Sequence, residues 1–104
     1  MTVPQFVYLV HPPRPTFIND ATEEESALMS AHFEYLQELL AAGNLILAGP
    51  MLVEGGFGIT IFEADDEVQA RQIANNDPAA QAGLIRTELH PYRVSLLRGR
   101  DDGR

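Results

Sequence analysis

Residues 45–62 read LILAGPMLVEGGFGITIF. Leu45-Ile46-Leu47-Ala48 is a short apolar run broken by Gly49-Pro50, and Phe57 to Phe62 is a second run rich in aromatic and β-branched residues. Glu54-Gly55-Gly56 turns the chain between them. Two strands therefore follow one another directly, and helical patterns flank them on both sides. Upstream, Leu28, Met29, His32, Phe33, Leu36, Leu39 and Leu40 recur at spacings of three and four, the helix period. Thr22 with Glu25 three residues on forms a capping box that starts this helix, and Gly43 ends it as the residue past the C-cap. Downstream, Asp65-Asp66-Glu67 opens a second helix reaching Ala74, with Val68, Ala70, Ile73 and Ala74 expected to face inward. Asn75-Asn76-Asp77-Pro78 breaks it, and Ala79 to Gly83 reads as one more turn.

The outermost elements complete the pattern. Phe6 to Val10 reads as a strand stopped by His11-Pro12-Pro13, and a last strand is expected from Glu88 to Leu97. The Pro-rich stretch from Arg14-Pro15 to Asp20 reads as irregular. The order strand, helix, strand, strand, helix, strand is the ferredoxin-like split βαβ, an α+β fold with one antiparallel sheet and two helices on one face. It places the first and third strands centrally, and Pro50 and Pro91 then fall at the edges, where proline's missing donor is tolerated. Residues 1–97 form a single domain and the polar stretch 98–104 a flexible tail. The strand Phe57–Phe62 carries apolar side chains on both faces, so the uncovered sheet face predicts a homodimer.

Composition narrows the function. A net charge of −8 in 104 residues argues against nucleic acid and anionic membranes, both of which need a basic footprint. There is no cysteine, hence no thiol nucleophile, disulfide or Cys-ligated metal, and no lysine, hence no protein Schiff base. No run approaches the roughly 20 apolar residues of a membrane span. The start shows no signal-peptide pattern, so a cytoplasmic location is expected.

His32 is the first candidate for chemistry. It sits four residues from both Leu28 and Leu36, inside the apolar stripe, so it points at the sheet. Imidazole titrates near neutrality and suits general acid or base work. The plainer reading is a core histidine satisfied by a backbone carbonyl or a water. Asp77 is its natural partner, although Asp before Pro78 is also a standard helix cap, and one carboxylate can do both. Arg14, in the long loop, is a candidate for an anionic substrate or else a solvated charge. His11 and His90, next to prolines, read as exposed turn residues. Histidine and carboxylate spacings match no metal motif, and neither a phosphate loop nor a G-x-S-x-G elbow is present, so no metal and no cofactor are expected.

The run His32-Phe33-Glu34-Tyr35-Leu36, then Gly43 to Pro50 with its Ala-Gly-Pro, then Asn76-Asp77-Pro78 and Ala82-Gly83-Leu84, resembles the YciI-like (YCII-related domain) family. The resemblance spans Gln5 to Leu97. It implies a ferredoxin-like fold that dimerises into an α+β barrel. It also implies a His–Asp pair at His32 and Asp77, in a pocket between helix and sheet. A few relatives are associated with lyase, dehydrochlorinase or isomerase-like work on small ring compounds. The loop from Pro12 to Asp20 is longer and more Pro-rich than in a minimal member, and is expected to lid the pocket.

The expected function is a small cofactor-independent enzyme, using His32 and Asp77 as an acid–base pair on a small aromatic or anionic molecule. Arg14, Tyr35, Pro50 and Met51 are the expected substrate contacts, with Phe33 nearby. The alternative is a non-catalytic dimeric module that binds a small ligand or a protein, with the pair serving only structure.

Overall fold

Side chains alternate across a strand with period two. Along the first apolar run the even positions Phe6, Tyr8 and Val10 are buried, while Val7 and Leu9 are half-buried on the other face. The structure is a computed structural model and describes residues 3–99. Its elements are β1 (Gln5–His11), α1 (Phe17–Asp20), α2 (Glu23–Ala41), β2 (Leu45–Pro50), β3 (Gly58–Glu63), α3 (Glu67–Asn75), α4 (Pro78–Gln81) and β4 (Arg86–Tyr92). The sheet order is β2-β3-β1-β4 with every neighbouring pair antiparallel, the ferredoxin-like α+β arrangement. Both proline-bearing strands are edges. Phe6 pairs with Phe62 and Tyr8 with Thr60, and these even positions form the floor on which the helices lie. The two phenylalanine rings stand 6.0 Å apart. Over them sit Ala70 and Ala74 of α3 and Ala79 of α4, small enough to let the helices approach closely.

The second long helix is narrower in its buried stripe than the sequence suggests. Ala70 and Ala74, four apart, define the inward line, and Val68 lies about 200° around the helix from Ala70 and is exposed. β2 runs on through Gly49-Pro50, because an edge strand leaves the proline's nitrogen without a ladder bond to make. Residues Phe17–Asp20 wind one helical turn where irregular chain is expected from the prolines. β4 starts at Arg86 and stops at Tyr92, short of the expected Leu97, because β1, its partner, has run out at Gln5. Of the expected polar tail, Arg98 and Gly99 form a turn, while residues 100–104 lie outside the described residues, as do Met1 and Thr2. Among the described residues no helix is long and apolar enough to cross a membrane.

The start of α2 is doubly fixed. Thr22 Oγ1 accepts from Glu25 N at 3.1 Å and Glu25 Oε1 accepts from Thr22 N at 2.9 Å, the reciprocal capping box. Arg14 then clamps the preceding segment onto this end. Its Nη1 and Nη2 donate to the two Glu25 oxygens at 2.9 and 2.8 Å, and its Nε donates to Asp20 Oδ1 at 2.9 Å. The Arg14 hydrogen bonds, with the Thr22 N–H, hold the Glu25 carboxyl at about 2, against an ordinary value of 4.5. A depressed carboxylate stabilises the fold above its unfolded value and loses that contribution as pH falls toward its folded one. Glu25→Gln keeps the capping acceptor and removes the charge. Its melting temperature is therefore expected to lie below wild type at pH 7. The gap should close progressively between about pH 4.5 and about pH 2, as read by thermal scans across that range.

Candidate active site

Three elements converge on one carboxylate. Asp77 is the N-cap of α4, with Pro78 in the first turn, and its Oδ1 accepts from Ala79 N at 3.0 Å. Its Oδ2 faces the other way and accepts twice, from His32 Nδ1 at 2.6 Å and from Tyr8 Oη at 2.9 Å. Asp77 is wholly buried and His32 nearly so. A buried carboxylate persists as an anion only when several donors replace its water. Burial by itself pushes the Asp77 carboxyl up. The His32 hydrogen bond and charge, with those from Tyr8 and the Ala79 N–H, outweigh that and leave it below the ordinary range. Burial, then the nearby Asp77 charge, raise Tyr8, so it stays a phenol and serves as a donor.

The imidazole is oriented by this arrangement. With Asp77 ionised, Nδ1 carries the donated proton and Nε2 is the nitrogen left for chemistry. Among the described residues no group hydrogen-bonds Nε2, and His32 lines a cleft of about 820 Å³ between α2, β2 and the chain after β2. Leu36 and Leu40 form its helix wall, Leu47, Pro50 and Met51 its strand wall. Among the described residues the lining contains no Asp, Glu, Arg or Lys, and its polar side chains are His32, Gln37 and Thr60. Two segments meet at the mouth: Gly55 N donates to the Pro15 carbonyl at 3.1 Å, tying the loop after β2 to the Pro-rich stretch before α1. Gly56 makes that loop possible, since a Cβ there would stand 2.8 Å from Met51 Cβ.

The expected site residues divide accordingly. His32 and Asp77 are hydrogen-bonded to each other, and Pro50 and Met51 line the cleft. Tyr35 does not line it; this hydroxyl donates to the Ile73 carbonyl at 2.6 Å and joins α2 to α3. Arg14 does not line it either, because its guanidinium is taken up by Glu25 and Asp20. Phe33 sits on the rim, largely exposed. His11 and His90, expected in exposed turns, flank Glu88 on the face of the sheet away from the helices. Tyr8 was not expected at the site. The signal was a hydroxyl-bearing residue on the inward face of a central strand, between Phe6 and Val10. Among the described residues no group of three or more His, Asp or Glu side chains is gathered as for a metal ion.

The fold is similar to that of the solved 5-chloro-2-hydroxyhydroquinone dehydrochlorinase from Burkholderia phenoliruptrix, determined in complex with 2,5-dihydroxybenzoquinone. The TM-score is 0.61 at 23% sequence identity, covering 84% of this chain and 93% of that one. No curated protein matches the sequence. The model of the YCII-related domain family matches residues 6–91, the stretch that carries both His32 and Asp77, and the chain belongs to that family.

Proposed function

We propose that the protein is a cofactor-independent acid–base enzyme in which His32 Nε2 takes a proton from a small, uncharged, ring-sized molecule seated in the apolar cleft. The observation that carries this reading is the one-sided imidazole: Nδ1 is bonded to a buried carboxylate, while the same ring lines a cleft without formal charges. Proton transfer to Nε2 creates an imidazolium, and the adjacent Asp77 carboxylate stabilises it. In an elimination, the electron pair of the broken C–H or O–H bond forms the new double bond and the leaving group departs with its own pair. In an isomerisation, the proton returns to a different atom. The structurally similar dehydrochlorinase is named for a chlorinated hydroquinone, a molecule compatible with such a cleft. Among the described residues no cationic side chain lines the cleft, which favours neutral over anionic substrates.

Asp77→Asn separates the chemistry from the cap. Asparagine caps about as well as aspartate, but it cannot stabilise the imidazolium. Turnover of a substrate found by screening cyclic enolisable ketones and chlorinated quinols, followed as C–H exchange in D2O or chloride release, should fall about 10²–10⁴-fold. His32→Ala should fall at least as far. If His32→Ala turned over at the wild-type rate, the base would be elsewhere. If no compound turned over and the variant only melted earlier, the ligand-binding alternative would take its place.

We also propose that the sheet face away from the helices is covered by a second copy. Val7, Leu9, Leu47 and Ile59 share that face by register and stay partly or largely exposed, with Ile61 buried between them, and monomers rarely leave such an apolar face open. Leu9→Arg is expected to convert a dimer into a monomer by light scattering behind a sizing column, with far-UV circular dichroism unchanged.

A further inference from the structure

A buried polar side chain ordinarily has a hydrogen-bond partner, because burial removes the water that would otherwise serve it. Among the described residues the buried polar ones are Gln5, His32, Thr60 and Asp77. Three of them are served within the fold. Gln5 Oε1 accepts from Val94 N, and His32 and Asp77 are bonded to each other. The Thr60 hydroxyl differs. Thr60 is only 2% exposed, and its Oγ1 makes no hydrogen bond to any described residue.

The place of this hydroxyl gives it a use. Thr60 lies on β3, paired with Tyr8 of β1 on one side and with Ala48 of β2 on the other. It shares the helix-side face with Phe62 and forms part of the floor of the cleft that His32 lines from α2. Ala48 and Gly58 line the same floor, and neither has a side chain beyond Cβ, so the surface around Thr60 stays low. Tyr8 ties the floor to the acid–base pair: it is the ladder partner of Thr60 and the donor to Asp77 Oδ2. The other polar residue of the lining, Gln37, is exposed on α2. A threonine hydroxyl supplies one donor and two acceptor lone pairs. Valine has the same outline, so packing alone gives no reason for an oxygen at this position.

We propose that Thr60 binds the oxygen of the molecule that occupies the cleft, donating its hydroxyl proton to a carbonyl, and that the substrate is an uncharged ring compound with a ketone next to the C–H bond that His32 attacks. As that bond breaks, the proton goes to His32 Nε2 and the electron pair forms the enolate double bond. The carbonyl π pair moves onto oxygen, where the Thr60 hydrogen bond strengthens with the growing charge. The oxygen contact deepens the acid–base reading and rests on it for the proton step, but binding alone tests it.

4-Fluoroacetophenone and 4-fluoro-α-methylstyrene have nearly the same shape and differ in bearing a carbonyl or a methylene group. Their affinities are measured by fluorine NMR titration of the wild type, Thr60→Val, Thr60→Ser and His32→Ala. The ratio of ketone to alkene affinity is expected to fall about fivefold in Thr60→Val, the worth of one hydrogen bond. Thr60→Ser and His32→Ala should keep the wild-type ratio. Thr60→Val should also melt no lower than wild type, since it removes an oxygen that no described residue holds. An unchanged ratio in Thr60→Val would overturn the proposal, and so would a wild type that binds neither probe. A lower melting temperature in Thr60→Val, restored in Thr60→Ser, would make the hydroxyl a structural one and overturn it as well. If the ratio falls as expected but no ketone exchanges its C–H protons in D2O, the acid–base reading fails and the oxygen contact stands.

Discussion

A single buried negative charge organises this molecule. Removing a carboxylate from water costs several kcal/mol unless donors replace the solvent, and at Asp77 three donors come from three places in the chain: Tyr8 on β1, His32 on α2 and the Ala79 amide at the start of α4. Satisfying that charge fixes how deeply α2 lies on the sheet and where the chain turns after α3. The same bonds that make the carboxylate tolerable determine which nitrogen of the imidazole meets the cleft. Structure and chemistry are here one set of hydrogen bonds.

The sheet divides the remaining tasks between its faces. On the helix side, Phe6, Tyr8, Val10 and Phe62 meet small alanines, and this close packing leaves room for the cleft along the edge strand β2. The other side presents Val7, Leu9 and Ile59 alongside His11, Glu88 and His90, with Glu88 held below the ordinary carboxylate range by His90 and His11. The acidic exterior and the charge-free cleft are complementary features. Like charges around the molecule favour solubility, while the described lining of the cleft sets no second carboxylate against the imidazole Nε2.

Much of this was legible in the sequence because the governing signals are local. The capping box at Thr22 and Glu25, the positive-φ glycine at Gly43 and the alternation in β1 each follow from residues within a few positions of one another. His32 was legible because a polar residue stood in an apolar stripe, and Asp77 because a cap has a spare oxygen. Tyr8 was not singled out, since a hydroxyl on a strand reads as one more large side chain until the strand's opposite partner is known. Arg14 and Tyr35 read as substrate contacts only while their partners, Glu25 and the Ile73 carbonyl, were unknown. The end of β4 was misjudged for a related reason. The run Val94 to Leu97 has β character, but a strand ends where its neighbour does.

The bond between the His32 ring and Asp77 also carries information about the whole chain. Its participants are separated by 45 positions and are held by a strand, a long helix and a capped turn that no local fragment contains together. The imidazole Nδ1 proton lies between the ring and a carboxylate with no exposure of its own, and it meets water only when that bond opens. One proton, resolvable far from the amide envelope, therefore reports how often the pair parts at the centre of its chemistry.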